Sequence, residues 1–148
     1  MDWTLILAGS HHLAVFALAG VLAAELVLLR PGLEPARLAQ LLRLDAAYGG
    51  LALLVIIVGV IRVWVLGPDY YLANHAFWGK MAAFVAVGLL SIQPTLAIRR
   101  WAKAARATPG YAPPAHELAA SRRFLHLEAG IFLLIPLFAA AMALGYGG

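Results

Sequence analysis

The chain has no cysteine. That excludes a disulfide framework and any thiolate metal site, and it removes the usual clue to redox compartment. Charge is scarce too: 12% of the 148 residues are charged, 64% are hydrophobic, and mean hydropathy is +0.87. Soluble domains carry about 25% charged residues, so a soluble globular domain is excluded. The net charge of +4 does not point to nucleic acid. Nearly all the basic residues lie in two short connectors between apolar runs, which is how a membrane protein orients itself. The N-terminus has Asp2 where a signal peptide needs a basic segment, and the first apolar run is too long for a signal core. No internal repeat is evident.

What is present is four long apolar runs: Trp3 to Leu29, Ala46 to Leu66, Ala76 to Ile98 and Phe124 to Leu144. Each reaches the roughly 20 residues that cross a bilayer as a helix. The expectation is an all-α integral membrane four-helix bundle, with residues 1–148 forming a single transmembrane domain. The connector Arg30 to Asp45 carries Arg30, Arg37 and Arg43; the connector Arg99 to Arg123 carries Arg99, Arg100, Lys103, Arg106, Arg122 and Arg123. Connector Gly67 to His75 and the two termini carry no Lys or Arg. The positive-inside rule then puts both termini outward and the basic connectors in the cytoplasm. For a bacterial chain this means a multi-pass protein of the inner membrane. Pro94 and Pro136 predict kinks or loosened hydrogen bonding in the third and fourth spans.

Ionisable residues within spans are costly, so each is a functional candidate. An outer group comprises His11 and His12 on the first span, Arg62 on the second and Lys80 on the third. At 100° per residue, His12 shares a stripe with Leu5, Phe16, Ala19 and Ala23, a small-residue face suited to helix packing. On that phase His12 looks into the bundle and His11 points about 100° away. Lys80 lines up with Phe84, Val87 and Ser91, and Arg62 with Tyr48, Val55 and Gly59. Three spans can thus aim nitrogen groups into one outer cavity. An inner group comprises Glu25, Asp45, His126 and Glu128 beside several arginines. Interfacial ion pairs are the plain expectation there.

A histidine on a bundle helix can ligate haem iron, and Arg or Lys near the boundary can pair with propionates. Copper suits the chain less, with no Cys and three Met, and zinc lacks first-shell ligands. Two plainer alternatives stay open. The first span can begin near Leu13, leaving both histidines wet, and Lys80 can snorkel outward.

The segments "HHLAVFALAGVLAAELVLLR", "RLDAAYGGLALLVIIVGVIRVW", "YYLANHAFWGKMAAFVAVGLLSIQPT" and "HLEAGIFLL" resemble a family of uncharacterised four-span bacterial membrane proteins. The layout is also similar to the HemJ family and, more loosely, to CopD-like membrane proteins. HemJ proteins bind haem b and oxidise protoporphyrinogen. The resemblance aligns His11 or His12 with a first-span histidine, Trp78 and Lys80 with a Trp and Lys of the third span, and Glu128-Ala129 with a Glu-Ala pair of the fourth. The HemJ-like Tyr-His pair of the third span is missing; "LLSIQP" stands there.

The resulting expectation is a haem b or porphyrin-binding membrane protein with a redox role. His12 or His11 would be the iron ligand. Arg62, Lys80 and Trp78 would line the cofactor site, with Lys80 the candidate catalytic group. The alternative is a non-enzymatic accessory protein that packs against a partner or forms a homo-oligomer; a metal or small-metabolite transporter is a third, poorer reading.

Overall fold

The structure, a computed structural model, describes residues 2–148. It contains helices α1 (Trp3–Leu28), α2 (Pro35–Leu66), the short α3 (Pro68–Leu72), α4 (His75–Ala107), α5 (Ala115–Phe132) and α6 (Leu134–Ala143). No strand occurs among the described residues. The helices α1, α2 and α4, and α5 with α6 taken as one rod, are each long and apolar enough to cross a membrane.

The helix starts follow from local chemistry. Asp2 caps α1, its Oδ1 accepting from the Thr4 N–H at 3.0 Å and the Leu5 N–H at 3.3 Å. Asn74 caps α4 in the same way, accepting from the N–H groups of Ala76 and Phe77. Pro35 opens α2 at a first-turn position, where its missing N–H costs nothing.

The helices run well past the apolar runs at the basic end. There α2 begins at Pro35 rather than near Ala46, α4 continues to Ala107, and α5 starts at Ala115. Hydropathy marks where lipid can lie, but helix propensity decides where the helix stops. The segment "PARLAQLLRLDAAY" is rich in Ala, Leu and Arg, all good helix formers. Leu38 and Leu41 on it are buried in the core.

Proline acts differently in the third and fourth spans. Pro94 sits inside a continuous α4, fully packed. Near Pro136 the fourth span breaks at Leu133 into α5 and α6. Pro136 has no N–H to give the carbonyl four residues back, so the turn around Leu133 loosens.

α1 packs chiefly on α2, and α4 packs on α5 and α6; contacts between α2 and α4 and between α1 and α5 close the bundle. The core runs along the axis through Leu18, Leu22, Leu41, Val55, Val87, Ile98, Trp101 and Leu125. The outer surface is apolar: Leu13, Phe16, Trp64, Leu89 and Leu137 are each exposed by 60% or more. A surface of this kind belongs against lipid. The bilayer is therefore this chain's environment, as a multi-pass membrane protein.

Candidate functional site

The end of the bundle that carries both termini contains a cavity of about 280 Å³. Its lining comes from α1 (His11, Val15, Leu18), α2 (Val55, Gly59, Arg62), α3 (Tyr71), α4 (Phe77, Lys80, Phe84) and the α5–α6 break (Phe132, Ile135), among others. Phe132 and Ile135, three residues apart across Leu133, both line the cavity.

Three basic side chains from three helices meet at this cavity: His11, Arg62 and Lys80. No Asp or Glu lines it. His11 Nδ1 and Arg62 Nε are shielded and have no hydrogen-bond partner. Lys80 Nζ lies 5.4 Å from the centre of the Phe77 ring, a cation–π contact. Neither Lys80 nor Arg62 forms an ion pair among the described residues. The His11 ring lies beside Gly59 of α2, where a Cβ would come within 3.4 Å of His11 Cε1.

The histidine pair divides contrary to the helical phase read from the sequence. The buried stripe of α1 is Ala14, Leu18, Leu22 and Glu25, and His11 belongs to it. His12 lies on the exposed face with Leu5 and Phe16, which are 69% and 70% exposed. Its Nδ1 bonds to the Ala8 carbonyl at 2.6 Å, and its ring stands at 87° to that of His11. Of that stripe His12, Leu5, Phe16 and Ala23 look outward, while Ala19 is partly buried against the core. The reason is physical: in lipid, small apolar residues carry no cost on either side of a helix, so their stripe does not mark the interior.

Trp78 is also outside the cavity. It is 52% exposed, and its Nε1 donates to the Leu72 carbonyl at 3.0 Å, which fastens α3 to α4. The aromatic walls come instead from Tyr71, Phe77, Phe84 and Phe132. Of these, only Phe84 was flagged by the Lys80 stripe in the sequence. Tyr71 depends on a short connecting helix that no periodicity shows, whereas Phe132 continues the buried stripe of α5 through Leu125 and Glu128.

At the same end of the bundle the C-terminal segment is held on the start of α4. The Gly147 carbonyl accepts from the His75 N–H at 2.6 Å and lies 3.0 Å from His75 Nδ1. Gly147 has φ +95°, and a Cβ there would sit 2.8 Å from the Ala76 backbone nitrogen. Both features demand glycine.

At the basic end, Asp45 of the inner group forms the expected ion pair, with Arg99 at 4.0 Å, while Glu25 and Glu128 form none among the described residues. Glu25, Asp45 and Glu128 are buried in the bundle. Arg30, Arg43 and Arg123 are exposed and point elsewhere. Arg122 donates to the Leu29 carbonyl at 3.2 Å, closing the end of α1. His126 is exposed, its Nδ1 bonded to the Arg122 carbonyl at 2.7 Å. The helices continue beyond the apolar runs, so these acids lie deeper than the run boundaries imply.

No curated protein and no solved structure matches the chain. One family model does match, over residues 3–147. With four apolar helices and a match along almost its whole length, the chain belongs to the family described as "Predicted membrane protein (DUF2214)", a domain of unknown function.

Proposed function

We propose that the cavity at the terminal end binds a haem b or related porphyrin, and that the protein has a redox role in the membrane. The observation that supports this reading is the meeting of His11, Arg62 and Lys80 in an apolar, aromatic-walled cavity that offers them no acid. Unpaired cations at membrane depth are expensive. A ligand that brings carboxylates and a flat apolar body would offset that cost. The residues fit such a group: an imidazole that can ligate iron, two cations for propionates, and four aromatic walls. At about 280 Å³ the cavity lies at the small end of ligand pockets, so part of the macrocycle would rest against lipid.

In this reading His11 would hold the iron, and Arg62 and Lys80 would hold the carboxylates. Lys80 is also placed to carry a proton at Nζ, in reach of the cavity. When bound, haem supplies one-electron chemistry at its iron. Phe132, Ile135 and Leu18 close the cavity floor and keep water from it. The similarity in layout to HemJ proteins supports the redox role, as does the position of Lys80. The charge asymmetry of the connectors supports an outward-facing cavity in a bacterial inner membrane.

The test is spectroscopic. Haemin added to the detergent-purified protein gives a Soret band that changes in His11→Ala and not in His12→Ala. Arg62→Gln and Lys80→Gln each weaken binding by about tenfold, the loss of about 1.4 kcal/mol. Absence of a Soret band, or one indifferent to His11→Ala, overturns the reading.

A second reading has its own observation. Gly9, Gly20, Gly49, Gly50, Gly88 and Gly130 face open space, and such small-residue faces let helices of separate chains approach closely. They support a non-enzymatic accessory role, packing against a partner or a second copy. It predicts wild-type behaviour of a His11→Ala/Lys80→Ala double variant, and loss of a crosslinked oligomer in Gly20→Leu or Gly50→Leu.

A further inference from the structure

The acids at the other end of the bundle have no part in the outer cavity. They come from different helices. Glu25 ends the buried stripe of α1; Asp45 and Tyr48 lie three residues apart on one face of α2; Ser121 and Glu128 lie seven apart on one face of α5. Glu128 and Ser121 are 0% exposed, Glu25 2%, and Asp45 and Tyr48 6%.

These groups differ in how they are satisfied. Asp45 is the paired member: Thr95 Oγ1 donates to its Oδ1, and Arg99 Nε lies 4.0 Å from its Oδ2. The Arg99 side chain is 65% exposed, so Asp45 is the acid linked to solvent. Glu25 Oε1 and both carboxyl oxygens of Glu128 have no partner, and neither do the Tyr48 hydroxyl and Ser121 Oγ. The Tyr48 hydroxyl faces Glu128 without reaching hydrogen-bonding geometry. Glu25, Asp45 and Glu128 lie within electrostatic reach of one another.

Among the described residues no cation pairs with Glu25 or Glu128. Arg99 serves Asp45, Arg122 serves the Leu29 carbonyl, and His126 faces outward. Two unpaired carboxylates beside a third, shielded from water, repel each other and lack solvation. Either a metal ion or protons must neutralise them. Among the described residues, no three carboxylates or imidazoles converge closely enough to hold a metal ion. A protonated carboxyl, in contrast, becomes a donor as well as an acceptor. It can then bond to the Tyr48 hydroxyl that otherwise stays orphaned.

We propose that Glu25 and Glu128 form an intramembrane proton site, in which each carboxylate takes up a proton delivered as hydronium and the protonated Glu128 shares it with the hydroxyl of Tyr48. One carboxyl O–H bond forms as one hydronium O–H bond breaks to leave water, and no oxidant or reductant is needed. Phe132, which lines the outer cavity, lies one turn from Glu128, about 6 Å along the helix. The site is therefore just beneath the cavity floor, but the inference does not depend on what the cavity binds.

Infrared spectroscopy of the purified protein tests it. At neutral pH the wild type shows the carbonyl stretch of a protonated carboxylic acid. Labelling with carboxyl-¹³C glutamate shifts the band, and exchange into D₂O shifts it again. Glu25→Gln and Glu128→Gln each remove about half of it, one of two protonated groups. The labelled wild type needs no variant to fold, so it carries the test alone if a variant does not express. A spectrum with carboxylate bands only, or an acid band unmoved by the glutamate label, overturns the proposal. So does a rise in thermal midpoint with added sodium or calcium chloride that Glu128→Gln abolishes, because the ligand is then a cation.

Discussion

The imidazole of His11 rests on the backbone of Gly59 across the α1–α2 contact. A Cβ at position 59 would lie 3.4 Å from His11 Cε1 and 3.8 Å from Nδ1. A Cβ would just fit against the ring, but a branched side chain at position 59 would have to displace it from the cavity. Gly59→Val should push the ring away, at a cost of about 1–3 kcal/mol for overpacking. Ligand binding at the cavity should fall as far as in His11→Ala, measured by the same titration. Normal binding in Gly59→Val would show that the contact does not position His11.

Gly79 and Phe138 make the equivalent contact between α4 and α6. A Cβ on Gly79 would come within 2.7 Å of Phe138 Cε1. Gly79→Ala should lower stability by about 1–3 kcal/mol. Shortening the ring with Phe138→Leu should recover part of that loss in the double variant, a coupling that a double-mutant cycle reads. Strict additivity of the two changes speaks against the contact.

The unpaired cations of the cavity predict a trade between stability and binding. Lys80→Met keeps the length of the side chain and removes a charge that has no acid partner. Its thermal midpoint without ligand should rise, by about 2–4 °C for each kcal/mol gained, while affinity for a carboxylate-bearing porphyrin falls. A lower midpoint in the ligand-free variant contradicts the view that Lys80 waits for an anion.

Gly147 holds the C-terminal segment on the start of α4, with its φ at +95°. Gly147→Ala adds both strain and a clash with the Ala76 nitrogen. Hydrogen exchange at the His75 amide, which donates to the Gly147 carbonyl at 2.6 Å, should accelerate, with the core amides of α2 unchanged. Equal protection at His75 in both proteins refutes this.

Acid should loosen the junction of α4 and α5. Glu117 lies two turns before the apolar stretch that starts at Phe124. Its Oε2 accepts from Trp101 Nε1 at 2.7 Å and from Arg100 Nη2 at 2.6 Å. These bonds, that from Trp101 first, hold its carboxyl below the ordinary value of 4.5. A lowered folded value means stability that is present above the ordinary range and lost as pH falls through it to the folded value. The thermal midpoint of wild type should exceed that of Glu117→Gln at neutral pH and converge with it in acid. A gap that stays constant with pH excludes the linkage.

Much of this protein is written in its hydropathy. Four runs of apolar residues separated by basic connectors dictate four crossings, because lipid offers the backbone no partner other than its own helix. The Lys80 and Arg62 stripes could be read as well, since Phe84, Val87, Tyr48 and Val55 on them are bulky and do face inward. The phase of α1 could not. That helix is apolar nearly all round, and a lipid solvent erases the polar–apolar contrast that marks an inner face in water. Only its packing on α2 decided that His11 looks in and His12 looks out. The depth of Glu25 and Glu128 was hidden for a related reason. Hydropathy ends where charge begins, yet the helices carry on past Ala46 and Ile98, and their extra turns bury those acids. Tyr71 reaches the cavity through a short connecting helix. The sequence alone determined how many times the chain crosses the membrane and which residues are costly there. Which of those residues meet was settled by helix rotation and helix length, which depend on contacts between segments far apart in the chain.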